Sequence, residues 1–183
     1  MKSFRNKVAA ITGAGSGIGR ALALQLAGQG CALALSDVNA EGLAETAAAA
    51  RAKGVAVTDA VVDVAQRQQV YDWAEASVQA HGGVNLVFNN AGVALGAPIS
   101  GMSEEDLKWI MDINFWGVVY GTQALLPHLK ASGDGHVINI SSVFGIAAIP
   151  SQSAYNASKF AVRGFTEALR QELEIEGAPV SAT

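Results

Sequence analysis

Cysteine is almost missing from this chain. Cys31 stands alone, so no disulfide can form within it, and its place in the apolar stretch Cys31–Leu35 reads as a small core residue in a reducing compartment. Charge is scarce as well: 15% of the 183 residues are charged and the net charge is −4, which leaves no basic footprint for nucleic acid. No stretch approaches the ~18 uninterrupted apolar residues of a membrane span, so no membrane partner is expected. Lys2, Arg5 and Lys7 precede apolar Val8–Ile11, but that run is too short for a secretory signal and ends in a glycine turn. A cytoplasmic location is the expectation. His81, His128 and His136 are scattered, with no second ligand type at metal spacing, so no metal site is expected. There is no GxSxG elbow, and Ser142 has no obvious His–Asp support, which argues against a serine hydrolase.

Apolar residues and glycine are plentiful. Half of the chain is hydrophobic and 20 residues are glycine, the profile of a packed globular protein whose length favours one domain over residues 1–183. Strand-like apolar runs occur at Lys7–Ile11, Cys31–Ser36, Val55–Val62, Val84–Phe88, His136–Ile140 and from Val180 onward. Helix-like segments lie between them, at Gly17–Gln29, Glu41–Lys53, Gln66–His81, Glu104–Ser132 and Ser153–Glu176. Continuous apolar strands alternating with helices predict an α/β fold, a doubly wound parallel sheet with helices on both faces.

The first strand runs into Thr12-Gly13-Ala14-Gly15-Ser16-Gly17-Ile18-Gly19, with a helix behind it. Glycines at a strand-to-helix turn let the backbone approach a pyrophosphate, whose charge sits at the helix N-terminus. The spacing is GxxxGxG at Gly13, Gly17 and Gly19, not GxGxxG, and with Ser16 and Ile18 these residues form the expected cradle of a dinucleotide. Asp37 follows Gly13 by 24 residues, about where a carboxylate would hold both adenosine ribose hydroxyls and repel a 2′-phosphate. The alternative is an exposed Asp capping the next helix. Ser16, Val38 and Asn39 offer no cation for a 2′-phosphate, so the expected coenzyme is NAD rather than NADP. Asp63-Val64 and Asn89-Asn90-Ala91-Gly92 fall at carboxyl ends of strands, where ligands bind in such sheets. Ala91 and Gly92 are small enough for a flat ring to pass close by; either stretch can also be a plain polar turn.

The stretch Ile140–Lys159 carries Ser142 on a loop and Tyr155 and Lys159 on a helix. Tyr155 and Lys159 are four apart and share a helix face. A phenol is a poor base at neutral pH, and a neighbouring ammonium favours its ionised form. The spacing suits a tyrosine that exchanges a proton with a substrate oxygen, with Ser142 as hydroxyl partner. By itself, YxxxK reads more simply as a half-buried tyrosine beside a solvated lysine. Glu104–Ser132 is apolar nearly all round, so it needs cover beyond the sheet, and a subunit partner is the simplest candidate. Asn114 stands inside that apolar run, either as a structural hydrogen-bond hub or as part of the site.

Together these residues resemble the classical short-chain dehydrogenase/reductase family. The resemblance covers essentially the whole chain: TGxxxGxG at Thr12–Gly19, NNAG at Asn89–Gly92, and YxxxK at Tyr155–Lys159 with a serine 13 positions earlier. It implies a Rossmann-type sheet of strand order 3-2-1-4-5-6, with Gly13, Ser16, Gly17, Ile18, Gly19, Asp37, Asp63, Val64, Asn90, Ala91, Gly92, Tyr155 and Lys159 around the coenzyme. It further implies hydride transfer between a nicotinamide and a secondary alcohol or ketone. Tyr155 would be the general acid/base and Ser142 would hold the substrate oxygen. Lys159 would bind the nicotinamide ribose and aid the tyrosine, and Asn114 would hold a water in a proton relay. Apolar Val93, Leu95, Phe144, Ile146, Ile149 and Pro150 point to an uncharged substrate. A homo-oligomer through Glu104–Ser132 and Ser153–Glu176 is expected. The family pattern continues beyond Ala178–Thr183 through the rest of a sixth strand, a substrate-covering segment and a seventh strand. The expectation is therefore an incomplete sixth strand, no seventh, and as the alternative function a weakly active or silent dinucleotide-binding, dimerising module.

Overall fold

Each short apolar run of this chain can satisfy its backbone only by pairing sideways with another. In a computed structural model, which describes residues 3–183, six of them do so. Lys2 lies outside the described residues. The strands are β1 (Val8–Thr12), β2 (Ala32–Asp37), β3 (Val57–Val61), β4 (Leu86–Asn89), β5 (Gly135–Asn139) and β6 (Val180–Ala182). Neighbours are parallel throughout, in the order β3-β2-β1-β4-β5-β6. That is the expected order, with a three-residue sixth strand. Ile11 sits beside Leu35 on one side and Phe88 on the other, so β1 forms the centre of the sheet. Successive strands are laid to one side of β1 and then, from β4, to the other, which opens a crevice at their carboxyl ends.

Alternation along the strands feeds two cores. Ala9, Ile11, Leu33, Leu35, Leu86 and Phe88 face the first, which is completed by helices α1 (Gly17–Gly28) and α2 (Ala40–Arg51). Ala10, Ala34, Val87 and Val137 face the second, under α3 (Arg67–His81), the segment after Gly117, and α6 (Ser153–Ile175). Cys31 is fully buried in the first core and its thiol is pushed up to about 11 by burial, in keeping with a packing role. The alanine-rich stretch of α2 buries Ala47 and Ala50.

The segment expected as one helix over Glu104–Ser132 is three pieces. Helix α4 (Glu104–Met111) runs into a π-helical turn, Asp112–Trp116, and then α5 (Gly117–Ala131). Ser103 and Asp106 start α4 with reciprocal side-chain caps. The π-turn has two local causes. Asn114 is drawn inward to bond the backbone of Val93, and Gly117 lies so close to Val64 that a Cβ there would sit 2.9 Å from Val64 Cγ2. Such insertions concentrate at functional sites. Among the described residues, no helix is long and apolar enough to cross a membrane.

Candidate active site

The turn from β1 into α1 is shaped by steric exclusion. A Cβ on Gly19 would fall 2.1 Å from the Gly13 carbonyl oxygen, and one on Gly13 would meet the Ala91 backbone at 2.8 Å. These glycines let α1 and the β4 loop close on the turn. Gly17 differs: its φ is +49°, yet nothing lies within 4 Å of where a Cβ would be. It faces open space. Ser16 is extended and its hydroxyl makes no cap, so the first N–H groups of α1 have no side-chain acceptor.

That space is a cleft of about 360 Å³ lined by Gly13, Ser16, Gly17, Ile18, Asp37, Asp63, Val64, Asn90, Ala91 and Gly92, joined by Val38, Val62, Val93 and Ile113. Asp37 accepts from Gly15 N at 2.7 Å through one carboxylate oxygen and from Asn39 N at 2.8 Å through the other. It does not cap α2. Asn39 does, its side-chain oxygen accepting from Gly42 N at 3.1 Å. Asp63 accepts from Ala65 N at 3.0 Å. With amide donors at the start of α1 and a fixed carboxylate at Asp37, the cleft suits a dinucleotide.

Thr12 ties the floor together: its hydroxyl oxygen accepts from Asn90 N and Ala91 N, both at 3.0 Å. The Asn90 amide donates back to the carbonyls of Thr12 and Gly13. Beneath it, Asn89 donates to Thr122 and Asn139, and Asn139 to Thr166, a buried chain joining β4, β5, α5 and α6.

At the other end of the crevice Asn114 is fully buried. Its oxygen accepts from Val93 N at 2.8 Å, and its amide donates to Val93 O at 2.9 Å and to Ser158 Oγ at 3.1 Å. Ser158 Oγ in turn donates a hydrogen bond to Tyr155 O at 2.8 Å. Asn114 is thus the hub that fastens the π-turn to the β4 loop and to α6. Lys159 is 4% exposed and donates to Ile140 O at 2.9 Å. Burial lowers its pKa from 10.5 to about 8, so at pH 7 the ammonium still prevails about ten to one. Its Nζ lies 5.7 Å from the centre of the Tyr155 ring, and a Cβ on Gly92 would be 3.6 Å from it. Lys159 is therefore not the solvated surface lysine of the simpler reading.

Ser142 caps the 3₁₀ turn Val143–Gly145, accepting from Phe144 N at 3.1 Å. The Phe144 ring meets Tyr155 edge-on at 5.9 Å, which links Ser142 to the tyrosine through one residue. Ser142 lines a separate depression with Asn139, Ser141, Arg163, Thr166 and Thr183.

A sequence model of the short chain dehydrogenase family matches residues 7–183. The chain belongs to the short-chain dehydrogenase family. It is 56% identical over its whole length to a Mycobacterium tuberculosis protein named as an oxidoreductase, SadH, and spans 66% of that protein. A family member of Burkholderia phymatum, solved with NAD, superposes with a TM-score of 0.96 at 41% identity, covering 99% of this chain and 65% of its own. Carveol dehydrogenase of Mycobacterium avium, also solved with NAD, gives 0.90 at 30% identity, covering 93% and 66%. The chain thus spans about two thirds of the length of these relatives.

Within this short-chain dehydrogenase, the expected coenzyme residues other than Gly19, Tyr155 and Lys159 line one cleft. Gly19 is buried beneath it, and Lys159 and Asn114 lie behind Gly92. Sequence reasoning missed Ser158, which looks like any helix serine until its hydroxyl meets Asn114, and it gave Thr12 no role beyond the motif. It also missed Arg20. Its Nη2 donates to Gly15 O at 2.6 Å and Gly42 O at 3.1 Å, beside Ser16 and Asn39, which themselves offer no cation. That residue escaped because it lies one helical turn past Ser16, on the helix that follows the turn.

Proposed function

We propose that this chain is the coenzyme-binding and proton-handling domain of an NAD-dependent oxidoreductase acting on a secondary alcohol or ketone. When bound, the nicotinamide supplies or accepts the hydride. The observation that carries the reading is the buried Lys159 ammonium beside the Tyr155 ring, directly behind the cleft floor at Gly92. In this reading the Tyr155 hydroxyl gives a proton to, or takes it from, the substrate oxygen. The Lys159 charge stabilises negative charge developing on the phenol oxygen and donates to the ribose nearest the reacting ring. The Ser142 hydroxyl hydrogen-bonds the substrate oxygen. Asn114, whose side chain is spent on Val93 and Ser158, acts by holding the π-turn that presents backbone to a relay water.

Asp37 is the basis for NAD over NADP: its oriented carboxylate suits two ribose hydroxyls and repels a phosphate. Apolar Val93, Leu95, Phe144, Ile146, Ile149 and Pro150 support an uncharged substrate. Trp109, Trp116 and Phe160 expose over 40% of their surface on the α4–α5 and α6 side, which supports a homo-oligomer through those helices.

The test is to follow absorbance of the reduced nicotinamide with a panel of secondary alcohols, wild type against Tyr155→Phe. Turnover by the wild type that Tyr155→Phe abolishes upholds the reading. A wild type that NADH stabilises but that turns nothing over leaves a dinucleotide-binding module in its place. The coenzyme preference has a separate readout, since NADH is expected to raise the melting temperature more than NADPH at equal concentration.

A further inference from the structure

A second, shallower depression of about 310 Å³ adjoins the dinucleotide cleft and shares Ser16 and Gly17 with it. Arg20, Asn39, Glu41, Gly42 and Glu45 complete its wall. Gly15 forms the ridge between the two. On one side its N–H is held by Asp37 Oδ2 at 2.7 Å, and on the other its carbonyl is held by Arg20 Nη2 at 2.6 Å. The start of α2 presses on the same ridge, for a Cβ on Gly42 would lie 2.6 Å from Gly15 O. The guanidinium is therefore fixed in place. It is also paired, because the same Nη2, whose two hydrogens are shared among three acceptors, lies 2.9 Å from the exposed Glu45 Oε2.

We infer that Arg20 and Glu45 are a second layer of coenzyme selection: Arg20 is the cation that a 2′-phosphate would need, and Glu45 keeps its charge occupied. This rests on the proposed placement of the adenosine ribose at Asp37. A phosphate on that ribose would enter beside Ser16, where the two depressions meet, with Asn39 on the wall of the second. It would face Asp37, Glu41 and Glu45, three carboxylates against one guanidinium. Removing the Asp37 charge alone leaves the phosphate facing a cation already paired. A glutamine at position 45 accepts the same hydrogen bond without cancelling the charge. Glu45 thus discriminates by charge and from outside the coenzyme contact, through Arg20.

The test is a fluorescence titration of NADH and NADPH against wild type, Glu45→Gln, Asp37→Ser, the double variant, and the double variant carrying Arg20→Met. Glu45→Gln is expected to lower the ratio of the NADPH to the NADH dissociation constant several-fold. The double variant is expected to bind NADPH about tenfold tighter than Asp37→Ser, a gain that Arg20→Met removes. If Glu45→Gln leaves the ratio unmoved while the wild type binds NADH, the inference fails and the coenzyme reading stands. A gain that survives Arg20→Met also overturns it. A wild type that binds neither dinucleotide removes both. The single variant keeps the result readable should the double variant not fold.

Discussion

At the β1–β3 end of the crevice, Gly13, Gly15, Gly17 and Gly19 lie within seven residues and act through backbone. At the β4–β6 end, Asn114 and Lys159 are 45 residues apart and are brought together behind Gly92 by the fold, where they act through their side chains. The first end is a matter of shape: what is missing, a Cβ at 13 or 19, is what permits the turn. The second is a matter of burial and hydrogen bonding: an amide, a hydroxyl and an ammonium are held where water would otherwise compete. Damage to the first end should therefore be steric and structural, and damage to the second chemical and dependent on pH.

The largest expected effect is at the chemical end. Tyr155→Phe should cost ~10²–10⁴ in kcat, while NADH affinity by fluorescence titration stays close to wild type. A large loss of NADH affinity instead would mean that the tyrosine shapes the cleft rather than handling a proton. At the steric end, Gly19→Ala should lose about 3 kcal/mol in urea unfolding, or fail to accumulate as soluble protein, because its methyl overlaps a fixed carbonyl. Gly17→Ala should lose only ~1–2 kcal/mol, from its positive φ, but should weaken NADH binding. A reversal of that order would undo the distinction between the packing glycine and the ligand-facing one.

Lys159 sharpens the contrast through pH. Without coenzyme, the folded amine releases its proton near pH 8 and the unfolded one near 10.5. Between those values the unfolded chain binds more protons, so stability rises with pH across that window. Below it, holding the buried ammonium costs up to ~3 kcal/mol, from a depression of 2.5 pH units at about 1.36 kcal/mol each. The stability difference between wild type and Lys159→Met, measured by urea unfolding, should therefore shift toward wild type from pH 7.5 to 10. A flat difference would place the ammonium in solvent. A moderate effect is expected at Asn114→Ala, about 2 kcal/mol by urea unfolding, since the Val93 N–H and C=O both lose their partner.

Much of this was legible along the chain. Apolar runs at Val8–Ile11 and Cys31–Leu35, and Val84–Phe88 interrupted only by Asn85, marked buried parallel strands, because no other element consumes such short runs between helices. GxxxGxG marked the turn for a local reason, as all three glycines are required within one strand-to-helix bend. The π-turn was not legible: Asp112–Trp116 is as apolar as its flanks, and its cause, Val93, lies in a distant loop. Nor was the state of Arg20, since a charge on a helix says nothing of which carbonyls it will find.

Sequence alone determined the succession of strands and helices, the glycine bend and the tyrosine–lysine face, because period and spacing act over a few residues. Tertiary structure decided the rest. Whether Lys159 is buried, what Asn114 holds and which carboxylate occupies Arg20 all depend on residues brought together from afar, where desolvation and hydrogen-bond partners are set by packing and not by order along the chain.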